Sequence, residues 1–206
     1  MSGILTNLRS TVISGIILAI IMIIVINVWH GDAAGAYFDL GSTAWWAFFL
    51  RWLHVLSGVM WIGILWYFNF VQIPTMPSIP DEQKPAISKH IAPAALFWFR
   101  WGAMATIATG IVLALLNDYF IDAVIIGLSS GDPKHTGIGI GMWLGTIMWA
   151  NVWFIIWPNQ KKALGMVEVD AEAKAKAART AMLFSRTNTL LSIPMLYAMV
   201  SAQNLF

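Results

Sequence analysis

Two ionisable side chains lie within the second apolar segment of this 206-residue chain, over residues 44–72. Arg51 and His54 stand inside a stretch long enough to cross a bilayer, where such groups are costly and therefore indicate a functional site. His54, Gly58 and Trp61 are spaced i, i+4 and i+7, so a helix places them on one face. Arg51 precedes the histidine by about one helical turn.

Haem b is the cofactor that would use all of these residues. A neutral imidazole binds iron, a glycine one turn away lets a flat ring approach the backbone, and an arginine pairs with a propionate. We therefore predict that His54 is the metal ligand and that Arg51, Gly58 and Trp61 help to bind the cofactor. The alternative is a buried histidine that only hydrogen-bonds a neighbouring helix, with Arg51 extended towards lipid headgroups.

A second axial ligand is less evident in the sequence. The other histidines fall near the ends or beginnings of apolar segments: His30, His90 and His135. Three methionines fall in the outer halves of their predicted helices, as His54 does: Met142, Met195 and Met199. A His/Met pair is one known form of haem ligation, whereas methionine in apolar helices more often fills packing gaps. Five-coordinate iron also stays open.

The composition predicts an integral membrane protein. Hydrophobic residues make up 59% of the chain and charged residues only 11%, with a mean hydropathy of +0.72. A net charge of +2, without a basic run interleaved with aromatic residues, argues against nucleic acid as a partner. Cysteine is absent, which excludes disulfides, iron–sulfur clusters and covalently attached haem within this chain.

The hydropathy pattern predicts an all-α, five-transmembrane-helix bundle that forms a single membrane domain over residues 1–206. Five apolar segments approach or exceed the roughly 20 residues that a transmembrane helix needs. They lie near residues 11–30, 44–72, 94–116, 137–157 and 180–203. The first segment is longer than a signal-peptide core, so we expect it to persist as a helix.

Three connections also carry structural signals. Residues 118–129 are apolar but too short to span, which predicts an interfacial or re-entrant helix. The alanine-rich residues 168–178 are expected to extend the last span as a helix. Four prolines between residues 73 and 93 predict a stiff, irregular loop.

The distribution of charge predicts the orientation. Ten of the twelve basic residues lie in three segments on one side: 1–10, 73–100 and 158–186. The other side holds Arg51 and Lys134 beside several aspartates, including Asp32. By the positive-inside rule, we expect a bacterial inner (cytoplasmic) membrane protein with a cytoplasmic N-terminus and a periplasmic C-terminus.

A second polar set lies towards the predicted cytoplasmic side: Arg100, Asn151, Arg186 and Asn188. These residues could line a pocket for an anionic ligand, but interhelical hydrogen bonds are the commoner role of such side chains in membranes. Four glycines in the fourth segment form a small-residue face suited to close helix packing: Gly137, Gly139, Gly141 and Gly145.

Several motifs together carry a resemblance to a known family. They are Arg51-Trp52-Leu53-His54 with Gly58, Trp61 and Gly63; Trp98-Phe99-Arg100-Trp101; the run from Asn151 to Gln160; and Arg186-Thr187-Asn188 with Leu191, Pro194 and Met199. From about residue 44 to the C-terminus, this pattern resembles the membrane domain of bacterial urate hydroxylases, also called the urate oxidase N-terminal domain. The resemblance implies a helical membrane domain that serves urate oxidation and is usually fused to a cytochrome c.

Three functions follow as hypotheses. The first is a haem b protein that exchanges electrons with a periplasmic cytochrome or a respiratory complex. The second is a non-catalytic accessory subunit that contacts membrane lipid and other membrane subunits, for which the twelve tryptophans offer contact surface and interfacial anchors. The third is membrane oxidation of urate or a related purine. We place it last because the given chain carries no cytochrome c domain and its connection at residues 80–84 is shorter than the family's.

Overall fold

The computed structural model describes residues 2–30 and 39–205, and these contain helices but no β-strand. A single turn, Ser2–Leu5, comes first. The longer elements are α1 (Leu8–His30), α2 (Thr43–Ser78), α3 (Lys84–Leu116), α4 (Phe120–Val124), α5 (Pro133–Ala163) and α6 (Ala171–Asn204). The all-α class is as predicted.

The chain divides into two units, Met1–Phe49 and Leu50–Phe206, and the boundary falls within α2. The first unit contains α1, whose most apolar window has a mean hydropathy of 2.5 and no buried residue. The second unit contains α2 from Leu50 onwards, the later helices and the candidate site. Asp32, part of the predicted outer charge set, lies outside the described residues.

Among the described helices, four are long and apolar enough to cross a membrane: Leu8–Ile26 within α1, and α2, α3 and α5 in full. The helix α6, which contains the predicted fifth span at residues 180–203, is not among them. It buries polar side chains such as Ser185, Asn188 and Ser192, which lower its hydropathy. The fifth span therefore stays a prediction.

The prediction of an irregular loop over residues 73–93 is wrong. Helix α2 continues to Ser78, α3 begins at Lys84, and only residues 79–83 between them are not helical. Three of the prolines, Pro74, Pro77 and Pro85, stand within the first two residues of short helical pieces, and Pro80 lies in the non-helical connection.

Three of the long helices change locally from α to π geometry. The π segments are Tyr67–Gln72 in α2, Ile87–Ile91 in α3 and Asn151–Ile156 in α5. A π segment widens the helix by one residue per turn and is frequent at functional sites. No hydropathy pattern signals these segments, which explains why the helix ends near them are mispredicted.

The second unit has two halves that recur below. The Lys84 half contains the end of α2 at Ser78, the start of α3 at Lys84 and the end of α5 at Ala163. Ring contact between Phe68 and Phe99 joins α2 to α3, and stacking of Arg100 on Trp157 joins α3 to α5. The Tyr119 half lies opposite, where α3 ends at Leu116 and Tyr119 follows. A buried core joins α2, α3, α5 and α6, with fully buried members that include Leu65, Leu96, Phe99, Met148, Val152 and Ile156.

Close helix contacts depend on glycines of α5. A Cβ atom at Gly139 would overlap the carbonyl oxygen of Ala123 in α4, and a Cβ atom at Gly137 would lie 3.1 Å from the Cβ atom of Ala202 in α6. The predicted helix at residues 118–129 is therefore a five-residue helix that packs directly on α5. The predicted role of the glycine face in helix packing is confirmed at these two positions.

Helix α6 begins earlier than the predicted span. Asp170 is its N-cap residue and accepts a hydrogen bond from the backbone N–H of Ala173 at 2.7 Å. The predicted helical extension at residues 168–178 is confirmed from Ala171 onwards.

Candidate functional site

A cavity of about 620 Å³ lies in the second unit between α2, α3, α5 and α6. This volume falls within the range of about 300–1,000 Å³ that is usual for small-molecule sites. All four residues predicted to bind a cofactor line it: Arg51, His54, Gly58 and Trp61. The structure thus brings the predicted set together around one ligand-sized space, while their role in binding haem stays a prediction.

His54 is held by the backbone of α3. Its Nδ1 atom lies 2.9 Å from the carbonyl oxygen of Thr106 and 3.3 Å from the Oγ1 atom of Thr109. A carbonyl oxygen only accepts hydrogen bonds, so in a neutral imidazole the proton sits on Nδ1 and donates to Thr106. The Nε2 atom then carries the lone pair. This is the arrangement that metal-ligating histidines commonly use, with the second ring nitrogen anchored to a carbonyl group.

Both interpretations of His54 are compatible with this geometry. The predicted alternative, a histidine bonded to a neighbouring helix, matches the Nδ1 contact with Thr106. The predicted ligand role requires an available Nε2 atom beside a cavity, and His54 lines the cavity. One hydrogen bond can therefore serve packing and also orient the ring for a ligand.

Several glycines line the cavity, so no side chain covers the backbone at these positions. A Cβ atom built at Gly58, Gly63 or Gly145 would meet no atom within 4 Å, and all three residues line the cavity. Gly110 differs, because a Cβ atom there would lie 3.0 Å from Cε1 and 3.2 Å from Nδ1 of His54. The first three glycines expose backbone to a flat ligand, and Gly110 makes room for the imidazole ring itself.

The methionines proposed as second ligands also reach the cavity. Met142, Met195 and Met199 all line it, together with Ile138 and Leu196. The residues that line the cavity thus supply three thioether sulfur atoms and, apart from that of His54, no imidazole. The ligation itself stays a prediction.

The other histidines have different surroundings. The Nδ1 atom of His135 lies 2.9 Å from Ser130 Oγ and 3.8 Å from a carboxylate oxygen of Asp122. His90 lies in the π segment of α3, and the side chain of His30 falls outside the described part of the chain. Neither His90 nor His135 lines the cavity.

Polar residues that the sequence interpretation missed surround the cavity in the Tyr119 half. Tyr119, Gln203 and Asn204 line it beside Arg51. Burial raises the pKa of the Tyr119 hydroxyl, and the positive charge of Arg51 acts in the opposite direction. These residues lie far from Arg51 in sequence and at helix ends, so no local motif could have revealed them.

The second polar set does not form one pocket. The Nδ2 atom of Asn151 donates to Oδ1 of Asn188 at 2.9 Å, which confirms the interhelical hydrogen bond as the role of this pair. Arg100 stacks its guanidinium carbon 3.2 Å from the ring centroid of Trp157. Arg186 is exposed on α6.

Within residues 2–30 and 39–205, no group of three or more His, Asp or Glu side chains could hold a metal ion. Haem iron takes only one or two axial ligands from the protein, so this finding does not bear on the haem hypothesis.

Comparison with known proteins gives one match. The family model described as urate oxidase N-terminal matches residues 131–205, which cover α5 and α6. No curated protein and no solved structure matches the chain. The matched range holds Met142, Met195 and Met199 but not Arg51 or His54, so it is shorter than the resemblance drawn from the motifs. Over residues 131–205, this chain is similar to the urate oxidase N-terminal family, as its motifs predict.

Proposed function

We propose that this chain binds haem b in the cavity of its second unit, with His54 as an axial ligand. The haem would exchange electrons with a partner protein that approaches from the side of the Tyr119 half. The observation that carries the proposal is the 2.9 Å contact between His54 Nδ1 and the Thr106 carbonyl oxygen beside a ligand-sized cavity. This contact fixes the tautomer and the ring direction that an iron ligand needs. Bound haem would supply reversible one-electron chemistry.

The residues around the cavity fit a haem b group. Gly58, Gly63 and Gly145 leave open wall where a flat macrocycle could approach the backbone. Arg51 would pair with a propionate, and Tyr119 would offer a hydroxyl on the same side. Because cysteine is absent, the haem would be held without covalent bonds.

The membrane placement is part of the proposal. Four helices of the described chain are apolar enough to span, and α6 is proposed as the fifth. The positive-inside rule then directs the Lys84 half to the cytoplasm and the Tyr119 half to the periplasm of a bacterial inner membrane. Arg51 and Tyr119 would lie near the periplasmic surface, where a cytochrome or a respiratory complex can exchange electrons.

The test is an optical spectrum of the purified protein with a pyridine haemochrome assay. The intact chain should show a Soret band, and H54A should lose it while still entering the membrane. H135A is the matched control, since His135 lies outside the cavity and its loss should leave the spectrum unchanged. Full haem occupancy with unchanged axial spectra in H54A would refute the assignment.

Urate or purine oxidation is the second candidate, favoured by the family match over residues 131–205. We expect the purified chain, supplied with urate and an external electron acceptor, to consume no more substrate than H54A does. Sustained urate loss that depends on His54 would make this the first candidate. The absence of both haem and turnover, with co-purification of other membrane subunits, would favour the accessory-subunit hypothesis.

A further inference from the structure

Five buried polar atoms without a hydrogen-bond partner among the described residues lie on the stretches of α2, α3 and α5 that run from the middle of the bundle into the Lys84 half. They are Asn69 Oδ1, Gln72 Oε1, Arg100 Nε, Trp149 Nε1 and Trp153 Nε1. Buried polar atoms are nearly always hydrogen-bonded, so five of them in these stretches require an explanation. Asn69 is only 8% exposed, which excludes contact of its side chain with bulk solvent as that explanation.

The chemistry of these atoms favours water as their partner. The group contains acceptors on Asn69 and Gln72 and donors on Arg100, Trp149 and Trp153. Water donates and accepts, so it can satisfy both kinds, whereas a simple ion satisfies only one. Among the described residues, the buried polar side chains are amides and hydroxyls, with no buried acid to bind a cation.

The π segments contribute to this arrangement. Asn69 and Gln72 lie in the π segment of α2, and Trp153 lies in that of α5. The wider turn interrupts the regular hydrogen-bond ladder of the helix, which is where water can insert.

A ladder of polar side chains on α6 leads from this group towards the cavity. Ser185 accepts a hydrogen bond from Asn69 Nδ2 at 2.8 Å, and Ser192 accepts one from Trp66 Nε1 at 3.0 Å. Asn188 lies between them and is fully buried, at 0% exposure. Seven residues separate Ser185 from Ser192, a rise of about 10 Å along the helix.

The ladder ends at the cavity. Trp66, which donates to Ser192, is also a residue that lines the cavity. Trp61 lines the cavity as well, and its Nε1 atom is buried without a partner in the described part of the chain. Polar side chains therefore lie at intervals along α6 from the Lys84 half to the residues that line the cavity.

We propose that internal water surrounds the unpaired polar atoms of the Lys84 half and continues past Ser185, Asn188 and Ser192 to the cavity. Protons from the aqueous phase at the Lys84 face can then pass from one water to the next towards the cavity. Each transfer breaks one O–H bond and forms another, and the protein's own bonds stay unchanged. The hydrated path stands without the haem, and only the use of the protons at a redox centre rests on the proposed function.

The chain has no cysteine, so single cysteines can test the path without background labelling. N69C, S185C and S192C are placed in the full chain in oriented membrane vesicles, and A103C is the control because Ala103 lies in the core at 0% exposure. A charged, membrane-impermeant methanethiosulfonate reagent is added from the Lys84 face. It requires a thiolate, which forms in water and not in a dry core.

We expect all three test positions to react at least about tenfold faster than A103C, with Ser192 the slowest because it lies deepest. Rates equal to that of A103C at Asn69 and Ser185 would refute the hydrated region. Reaction at these two positions but none at Ser192 would refute the connection to the cavity.

A second measurement uses the chain without substitutions, so its result does not depend on whether the cysteine variants fold. Radiolytic hydroxyl-radical labelling should oxidise Trp149 and Trp153 while sparing Met148, which is more easily oxidised but is fully buried in the core. Labelling of Met148 alone would refute the proposal. Neither measurement reads haem, so failure of the path and failure of haem binding give separate signals.

Discussion

The Tyr119 half and the Lys84 half of the second unit are built from the same helices but have different interiors. In the Tyr119 half, α2 contributes Gly58 to an apolar cavity of about 620 Å³, with few polar groups at its edge. In the Lys84 half, α2 contributes Asn69, which is buried and has an unpaired Oδ1 atom. The cavity of the Tyr119 half has few polar groups, whereas α2 brings an unpaired amide oxygen into the interior of the Lys84 half.

This difference suits the two halves to different kinds of ligand. A large apolar cavity with a fixed histidine suits a bulky planar cofactor. A region with unpaired donors and acceptors suits small polar guests such as water. Mutations that act on space should therefore affect mainly the Tyr119 half, and mutations that act on hydrogen bonds should affect mainly the Lys84 half.

The largest effect is expected from filling the cavity. G58L adds a side chain where no atom lies within 4 Å, so the fold should tolerate it while the space for a flat ligand is lost. Haem occupancy should fall to background, with the unfolding midpoint in detergent close to that of the unaltered chain. G15L is the control, since Gly15 also has open space but lies in the first unit. Retention of haem in G58L would place the ligand elsewhere.

A smaller effect is expected from moving the histidine ring. In G110A the new Cβ atom would lie 3.0 Å from Cε1 of His54, so the ring must shift while the cavity stays open. Changes to groups that orient a metal ligand typically reduce affinity by about 10–100-fold. Haem titration should show this loss together with an altered axial spectrum. Unchanged affinity and spectrum would argue against His54 as the ligand.

Breaking a buried amide pair should act outside the cavity, which neither Asn151 nor Asn188 lines. N188A leaves the Asn151 amide and the Met148 carbonyl oxygen without their 2.9 Å partners. The free energy of unfolding should fall by about 1–3 kcal/mol, because buried polar groups become unpaired. N204A, which loses only an exposed bond to Val200, should change it little. Equal losses in both variants would contradict the distinction between the halves.

The smallest effect concerns the exposed turn between α2 and α3. A 2.6 Å hydrogen bond from the Lys84 ammonium group, and then its charge, lower the pKa of the Asp81 carboxyl below its ordinary value of 3.8. The contribution to stability is present above pH 3.8 and is lost as the pH falls through the lowered pKa. Because Asp81 is fully solvated, the unaltered chain should lose only slight stability at acid pH through this pair. D81N should lack that small loss, which is measured by following the unfolding midpoint against pH.

Hydropathy predicted four of the long helices, and the spacing of His54, Gly58 and Trp61 predicted residues that do line one cavity. Two features escaped the sequence interpretation for physical reasons. The π segments depend on tertiary packing and leave no periodic signal. Tyr119 and Asn204 reach the cavity only because helices distant in sequence pack together.

The buried polar face of α6 has a consequence for how the chain is inserted. A lone helix that carries Ser185, Asn188 and Ser192 would expose their hydrogen-bonding groups to hydrocarbon, which disfavours its independent partition from the translocon. Its partners are Asn69 and Trp66 on α2 and Asn151 on α5. We therefore expect α6 to enter the bilayer last, as the second arm of a hairpin with α5, and to remain outside it in chains truncated to lack α2.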